Sequence, residues 1–192
     1  PMDVAPIETF CQEWPGAPAA KQDVPICAVG VSQLTSPTSV EPFSTRLLFE
    51  CGDVCLGVEI CEDLWVPVPP SSMQALAGAN LLVNISASNE MVGKHAYLRS
   101  LIEQQSARTM AAYLYSSAGC GESTTDIVFA GNGIIAENGA ILRESERFTF
   151  GEQLTLCDVD IERLMALRRK TNTFTSESPQ KEYRRIRAGL PV

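Results

Sequence analysis

The sequence predicts one layered α/β domain built on a mixed sheet. Strand-like and helical runs alternate between residues 46 and 116, and short strands joined by Gly-Asn turns take over after residue 126. A chain of 192 residues with 45% hydrophobic and 20% charged content suits a single globular core.

Residues 1–24 carry Pro1, Pro6, Pro15, Gly16 and Pro18 without periodicity and read as an irregular lead-in. Residues 25–31 make the first strand-like run, and the Ser-, Thr- and Pro-rich stretch 32–44 a loop. Strands at 46–50 and 54–60 follow, joined as a hairpin through Cys51-Gly52-Asp53. In the second, Val54, Leu56, Val58 and Ile60 alternate with Cys55, Gly57 and Glu59, so one face is apolar and the other small or polar.

Residues 62–70 hold three prolines and form a turn. Pro69-Pro70-Ser71-Ser72 starts a helix that reaches Ala77 and stops at Gly78. Residues 81–86 are an apolar run of the kind covered on both faces of a sheet. Residues 94–110 are the strongest helix, with Leu98, Leu101 and Ile102 on one face and Arg99 paired with Glu103 four residues on. Strands are expected at 112–116, 127–130, 133–136, 140–144 and 154–159, with the hairpin signal Asn138-Gly139 between two of them. A helix at 161–170 closes the domain, and 171–192 reads as a flexible basic tail.

A net charge of −8 opposes binding to nucleic acid, which needs a basic surface. Arg163, Arg168, Arg169, Lys170, Lys181, Arg184, Arg185 and Arg187 do cluster beyond residue 162, and a solvated helix face with a basic tail accounts for them. No apolar run reaches the roughly 20 residues of a membrane helix; the longest candidate, 75–87, is broken by Gly78, Asn80 and Asn84. The start, Pro1-Met2-Asp3-Val4, has neither the basic nor the apolar region of a signal peptide and no initiator Met at position 1, as expected of a processed or excised piece. Seven cysteines, an odd number without a CxxC pair, point to reduced thiols in the cytoplasm rather than a disulfide framework or a metal set.

The segment Glu59-Ile60-Cys61-Glu62-Asp63-Leu64-Trp65 is the chemical focus. A cysteine that directly follows a strand is held rigidly at the edge of a cleft, where its thiol can attack a carbonyl while amides of the next turn face the oxyanion. Most cysteines are inert buried side chains, and Cys61 on spacing alone fits that reading as well. Glu62 and Asp63 cannot both be buried without partners, and their charges oppose formation of a thiolate, so activation has to come from a separate base or cation. His95 is the one histidine. A Cys–His dyad would have to use it, although its place at a helix start suits a solvated side chain. No Gly-x-Ser-x-Gly elbow supports a serine triad.

The run from Gly57 through Cys61-Glu62-Asp63-Leu64-Trp65 to Pro67 resembles the nucleophile segment of the nitrilase (carbon–nitrogen hydrolase) superfamily. More narrowly, it is similar to the glutaminase domains of glutamine-dependent NAD synthetases. The likeness continues through Pro69-Pro70-Ser71-Ser72, Ala75-Leu76-Ala77-Gly78-Ala79 and Asn84-Ile85-Ser86-Ala87-Ser88-Asn89. It extends through Gln104-Gln105-Ser106-Ala107-Arg108, Gly121-Glu122-Ser123-Thr124-Thr125-Asp126 and Ala136-Glu137-Asn138-Gly139 to Glu144-Ser145-Glu146-Arg147. The resemblance implies a nitrilase-like α-β-β-α sandwich with mixed sheets whose N-terminal elements are missing. The implied division is a lead-in at 1–24, a partial glutaminase domain at 25–170 and a tail or linker at 171–192.

It further implies a glutamate–lysine–cysteine triad in which the thiolate attacks the side-chain amide of L-glutamine, ammonia leaves, and water resolves the thioester. Cys61 matches the nucleophile. The Glu62 amide matches an oxyanion donor, and the Glu62 side chain a residue recognising the glutamine α-amino group. Ser88 and Lys94 fall where the family holds the amino-acid end of glutamine, and Trp65 would wall the pocket. As bland alternatives, Ser88 is a turn residue, Lys94 a surface charge and Trp65 core.

The departures are upstream. The family's glutamate and lysine both precede the cysteine, yet Lys21, the one lysine before Cys61, and Glu8, Glu13, Glu41 and Glu50 do not match their motifs. There is no Ser-Gly-Gly-x-Asp-Ser loop, so ATP, Mg and deamido-NAD would belong to an absent synthetase domain, and no cofactor or metal is expected in this chain. Expected partners are L-glutamine, that synthetase domain and further copies of the chain, with no nucleic acid and no membrane. The expected function is the glutamine amidohydrolase part of a deamido-NAD to NAD conversion, weak or inactive in this chain alone. Another amidase or carbamoylase of the superfamily, or a non-catalytic fragment or assembly subunit, are the rival readings.

Overall fold

The computed structural model describes residues 46–174 and 183–187, all within one compact unit, Phe43–Val192. The expected lead-in, the strand at 25–31 and the loop at 32–44 lie outside the described residues.

Seven strands form a single mixed sheet in the order β6-β5-β4-β3-β2-β1-β7. β1 (Leu47–Cys51) and β2 (Val54–Ile60) are the antiparallel hairpin expected at Gly52, which takes a φ of +56°. β2, β3 (Leu81–Ser86) and β4 (Ala112–Ser117) run parallel, connected by α1 (Pro70–Leu76) and α2 (Lys94–Thr109). β5 (Gly133–Glu137) and β6 (Ala140–Glu144) complete that edge as a hairpin, with Asn138 and Gly139 both at positive φ as a tight two-residue turn demands. At the other edge, within the stretch that reads as a tail, Arg184–Arg187 form β7 parallel to β1. Arg185 bonds Glu50 and the Ala77 carbonyl. α3 (Ile161–Lys170) starts at Asp160, whose Oδ1 accepts the Arg163 amide at 2.8 Å.

Helices α1 and α2 cover one face of the sheet. That face carries Cys55, Glu59, Leu82, Asn84, Tyr113, Tyr115, Ile134 and Ala136, all buried. It is therefore the small and polar side of β2, not its apolar side, that points into the helical layer. Gly57 explains how close the layer comes, because a Cβ there would run into the Gln74 side chain of α1. Gln74 Nε2 instead donates to the Val58 carbonyl at 2.7 Å. Fully buried Leu82, Ile102, Ile134 and Leu164 each contribute about 1.5–3 kcal/mol of hydrophobic stabilisation.

The opposite face bears Leu56, Val58, Leu81 and Val83, half-buried, with Ile60 at 60% and Ile85 at 52% exposure. β3 is thus not covered on both faces, because α1 and α2 both lie on the side of Leu82 and Asn84.

Three further expectations change. Residues 127–130 form no strand; their backbone bonds go singly to different loops, from Thr124 to Ile127, Glu90 to Val128 and Phe148 to Ala130. Residues 154–159 also lack a ladder, and Leu154 and Leu156 are each 70% exposed. Arg99 bonds Glu144 on the neighbouring edge strand, where the sequence pairs it with Glu103.

Candidate active site

The parallel register places Glu59, Asn84 and Tyr115 in one row across β2, β3 and β4. Cys61 follows β2 directly and opens a 3-10 turn, Cys61–Trp65. Its backbone sits at φ +51°, a left-handed conformation that costs an L-residue about 1–3 kcal/mol. Asp63 caps the turn, its Oδ2 accepting the Ile60 amide at 2.8 Å. Thus Glu62 is the exposed member of the carboxylate pair and Asp63 is spent on the backbone.

The amide of Asn84 brackets Cys61. Its Oδ1 accepts the Cys61 N–H at 3.1 Å and its Nδ2 donates to the Cys61 carbonyl at 3.3 Å. Beneath it, buried Glu59 accepts the Tyr113 hydroxyl on Oε1 and the Ser71 amide at 2.8 Å on Oε2. Burial, then the Glu59 charge, pushes the Tyr113 phenol well above its ordinary pKa.

Near Cys61, Tyr115 donates to Ser86 Oγ at 3.0 Å. Burial raises its pKa, with Cys61 close enough to add to the shift. A small polar cavity opens here, lined by Ser88, Lys94, His95, Tyr115, Ser117 and Asn132 among others. Lys94 Nζ donates to the Asn89 carbonyl at 2.7 Å and Oδ1 at 2.9 Å and lies 5.4 Å from the Trp65 ring centroid. Trp65 packs on the core and meets Tyr97 at 5.4 Å. Ser88 and Lys94 therefore share one cavity, Trp65 walls the Lys94 ammonium, and Cys61 and Glu62 sit on the adjoining turn.

His95 does not join Cys61 in a hydrogen bond. Its Nε2 lies 2.8 Å from Glu144 Oε1, and its Nδ1 lies 3.3 Å from Asn132 Nδ2. The Nε2 contact is one of distance alone, because Glu144 Oε1 takes no aligned hydrogen bond. The carboxylate alone would favour the charged ring, but Arg99 already holds Glu144. Burial, with Arg147 nearby, lowers the His95 pKa below 6.5.

Asn84, Tyr115 and Asn132 are site residues that residue-by-residue reading missed. Asn84 could have been found from its polar side chain inside an apolar strand two residues short of Ser86. Among the described residues no His/Cys/Asp/Glu group could hold a metal, Cys51, Cys55, Cys61, Cys120 and Cys157 are free thiols, and no helix is long and apolar enough to cross a membrane.

A family profile described as carbon-nitrogen hydrolase matches residues 25–169. The chain belongs to the carbon–nitrogen hydrolase family. Among relatives of this carbon–nitrogen hydrolase chain, the glutamine-dependent NAD(+) synthetase of Mycobacterium leprae is 46% identical over 149 residues, 76% of the chain and 21% of that protein. The glutamine-dependent NAD(+) synthetase of Mycobacterium tuberculosis is 49% identical over 135 residues, 69% of the chain and 20% of that protein. The chain spans about a fifth of the length of the curated relatives it matches. A nitrilase-superfamily structure from Saccharomyces cerevisiae aligns with a TM-score of 0.56 at 19% identity, over 69% of this chain and 47% of that one, a likeness of fold.

Proposed function

We propose that this chain carries the nucleophile portion of a glutamine amidohydrolase whose ammonia serves the conversion of deamido-NAD to NAD by a synthetase domain. The observation that carries the reading is Cys61 at a strained strand end, on a turn whose Trp65 meets Lys94, which lines a polar cavity together with Ser88. The 46–49% identity to glutamine-dependent NAD(+) synthetases supports the choice of substrate.

In this reading the Cys61 thiolate attacks the side-chain carbonyl carbon of glutamine. The carbon–nitrogen bond then breaks with a proton delivered to the leaving nitrogen, giving ammonia and a thioester that water hydrolyses. The Glu62 amide faces the oxyanion, the Glu62 carboxylate takes the α-ammonium, Ser88 and Lys94 hold the amino-acid end, and Trp65 closes the wall. The chain needs no metal or cofactor for this step; ATP, Mg and deamido-NAD act on the synthetase domain. The general-base glutamate and the lysine come from motifs that this sequence does not match, so the 192-residue chain turns over slowly. The full domain is a nitrilase-like sandwich in which a second sheet covers Ile60, Val83 and Ile85, and it works in the cytoplasm as a homo-oligomer.

The test is steady-state ammonia release by the 192-residue chain from L-glutamine and from propionamide. Slow, glutamine-selective release is expected. Equal release from both would favour a simple amidase, and turnover at the level of an intact glutaminase would sink the claim that catalytic partners are absent.

A further inference from the structure

The reading of Cys61 as nucleophile leaves open what keeps its backbone strained. A non-glycine residue at φ +51° persists only where its surroundings over-determine it. Gly93 and Gly139 take positive φ without that penalty, and Asn138 and Met110 sit at a hairpin turn and a helix end, where left-handed residues commonly occur. Cys61 sits between a regular strand and a 3-10 turn, with extended backbone just before it at Ile60. Local sequence preference does not hold it there.

We propose that Asn84 is the positioning residue of the nucleophile, its side-chain amide clamping both backbone polar groups of Cys61 and so fixing the left-handed turn that presents the thiol to the cleft. This deepens the functional reading above and rests on it for its meaning, although not for its test.

Three observations carry the assignment. First, a primary amide is the shape that offers an acceptor and a donor side by side, and Asn84 uses one for the Cys61 N–H at 3.1 Å and the other for the Cys61 carbonyl at 3.3 Å. The two backbone groups fix which end is oxygen and which nitrogen. Second, Asn84 is fully buried on a central strand, a costly place for an amide unless its bonds are needed. Third, its strand is itself braced, since Tyr113 on β4 holds Glu59 on β2, the two strands that flank β3. Glu59 in turn ties β2 to the start of α1 through the Ser71 amide. The clamp therefore transmits the rigidity of three parallel strands to one backbone unit. Its consequence for chemistry is aim: the Cys61 φ sets where Sγ points and where the following amide of Glu62 faces.

The test uses the full 192-residue chain and needs no glutamine. A residue at positive φ brings its amide hydrogen close to its own Hα, so wild-type Cys61 should give a strong intraresidue amide–Hα cross-peak in NMR spectra. In Asn84→Ala that cross-peak should fall several-fold, and the rate of Cys61 alkylation by chloroacetone relative to iodoethane, which has no carbonyl, should drop by about tenfold or more, because a well-aimed amide polarises the ketone oxygen. Should Asn84→Ala not fold, Asn84→Asp keeps the shape and the acceptor. Its ionised carboxylate has no donor for the Cys61 carbonyl, so the cross-peak should be weak at high pH and return as the introduced carboxyl protonates. A pH-dependent rescue is not expected of a residue that only fills space. An undiminished cross-peak and alkylation ratio in Asn84→Ala, or a cross-peak in Asn84→Asp indifferent to pH, would overturn the proposal. Loss of glutamine selectivity in the ammonia assay, with the clamp signature intact, would instead sink the functional reading alone.

Discussion

Tyr113 donates its hydroxyl to Oε1 of Glu59, and both side chains are buried between the sheet and the helix layer. The bond explains how a carboxylate can occupy the covered side of β2, two residues before Cys61. A buried acid is tolerated where each oxygen has a partner, and the Ser71 amide supplies the second.

Removing that donor has a measurable sign. Tyr113→Phe should destabilise the fold by about 1.5–3 kcal/mol near neutral pH, the range for losing a hydrogen bond to a charged group. Because the folded Tyr113 pKa is raised above its unfolded value, the hydroxyl's contribution is complete below about pH 10 and is lost as the pH rises further. Urea unfolding of both proteins from neutral to alkaline pH should show their difference shrinking above about pH 10. A difference that stays constant would mean Tyr113 is not held protonated by this site.

His95 runs in the other direction. Its folded pKa is depressed, so its contribution to stability is present above the ordinary value of about 6.5 and fades as the pH falls through the lower folded value. An NMR titration of the imidazole should give a midpoint below 6.5, and the stability advantage of wild type over His95→Gln should narrow in that acid window. A midpoint above 6.5 would show that the Glu90 charge outweighs burial and Arg147.

Much of this architecture was legible in the residues. The Gly52 and Asn138-Gly139 turns, the Pro70 start of α1 and the strand that delivers Cys61 follow from local chemistry. Ser88 and Lys94 line one cavity, and Trp65 meets the Lys94 ammonium. What local pattern could not show is which face of β2 the helices cover. Glu59 and Tyr113 satisfy each other, and Asn84 bonds the Cys61 backbone, across separations of tens of residues, so polarity there marks the interior, not the surface. Residues 127–130 and 154–159 have strand-like composition, yet a strand exists only where it pairs with another, and neither segment joins the sheet. Charge misled at Arg99, whose partner Glu144 is 45 residues away, and at Arg184–Arg187, where a basic run forms an edge strand as charged edges often do.

The central claim is that Cys61 is a nucleophile aimed at glutamine, and covalent labelling tests it most directly. The chain would be treated with a chloroketone analogue of L-glutamine, digested, and mapped by mass spectrometry, with and without L-glutamine in competition. The account predicts modification at Cys61 ahead of the other six cysteines, faster than by chloroacetone, slowed by L-glutamine and absent in Cys61→Ser. Labelling spread over the other thiols, or at Cys61 with no preference for the glutamine analogue and no protection by L-glutamine, would contradict it.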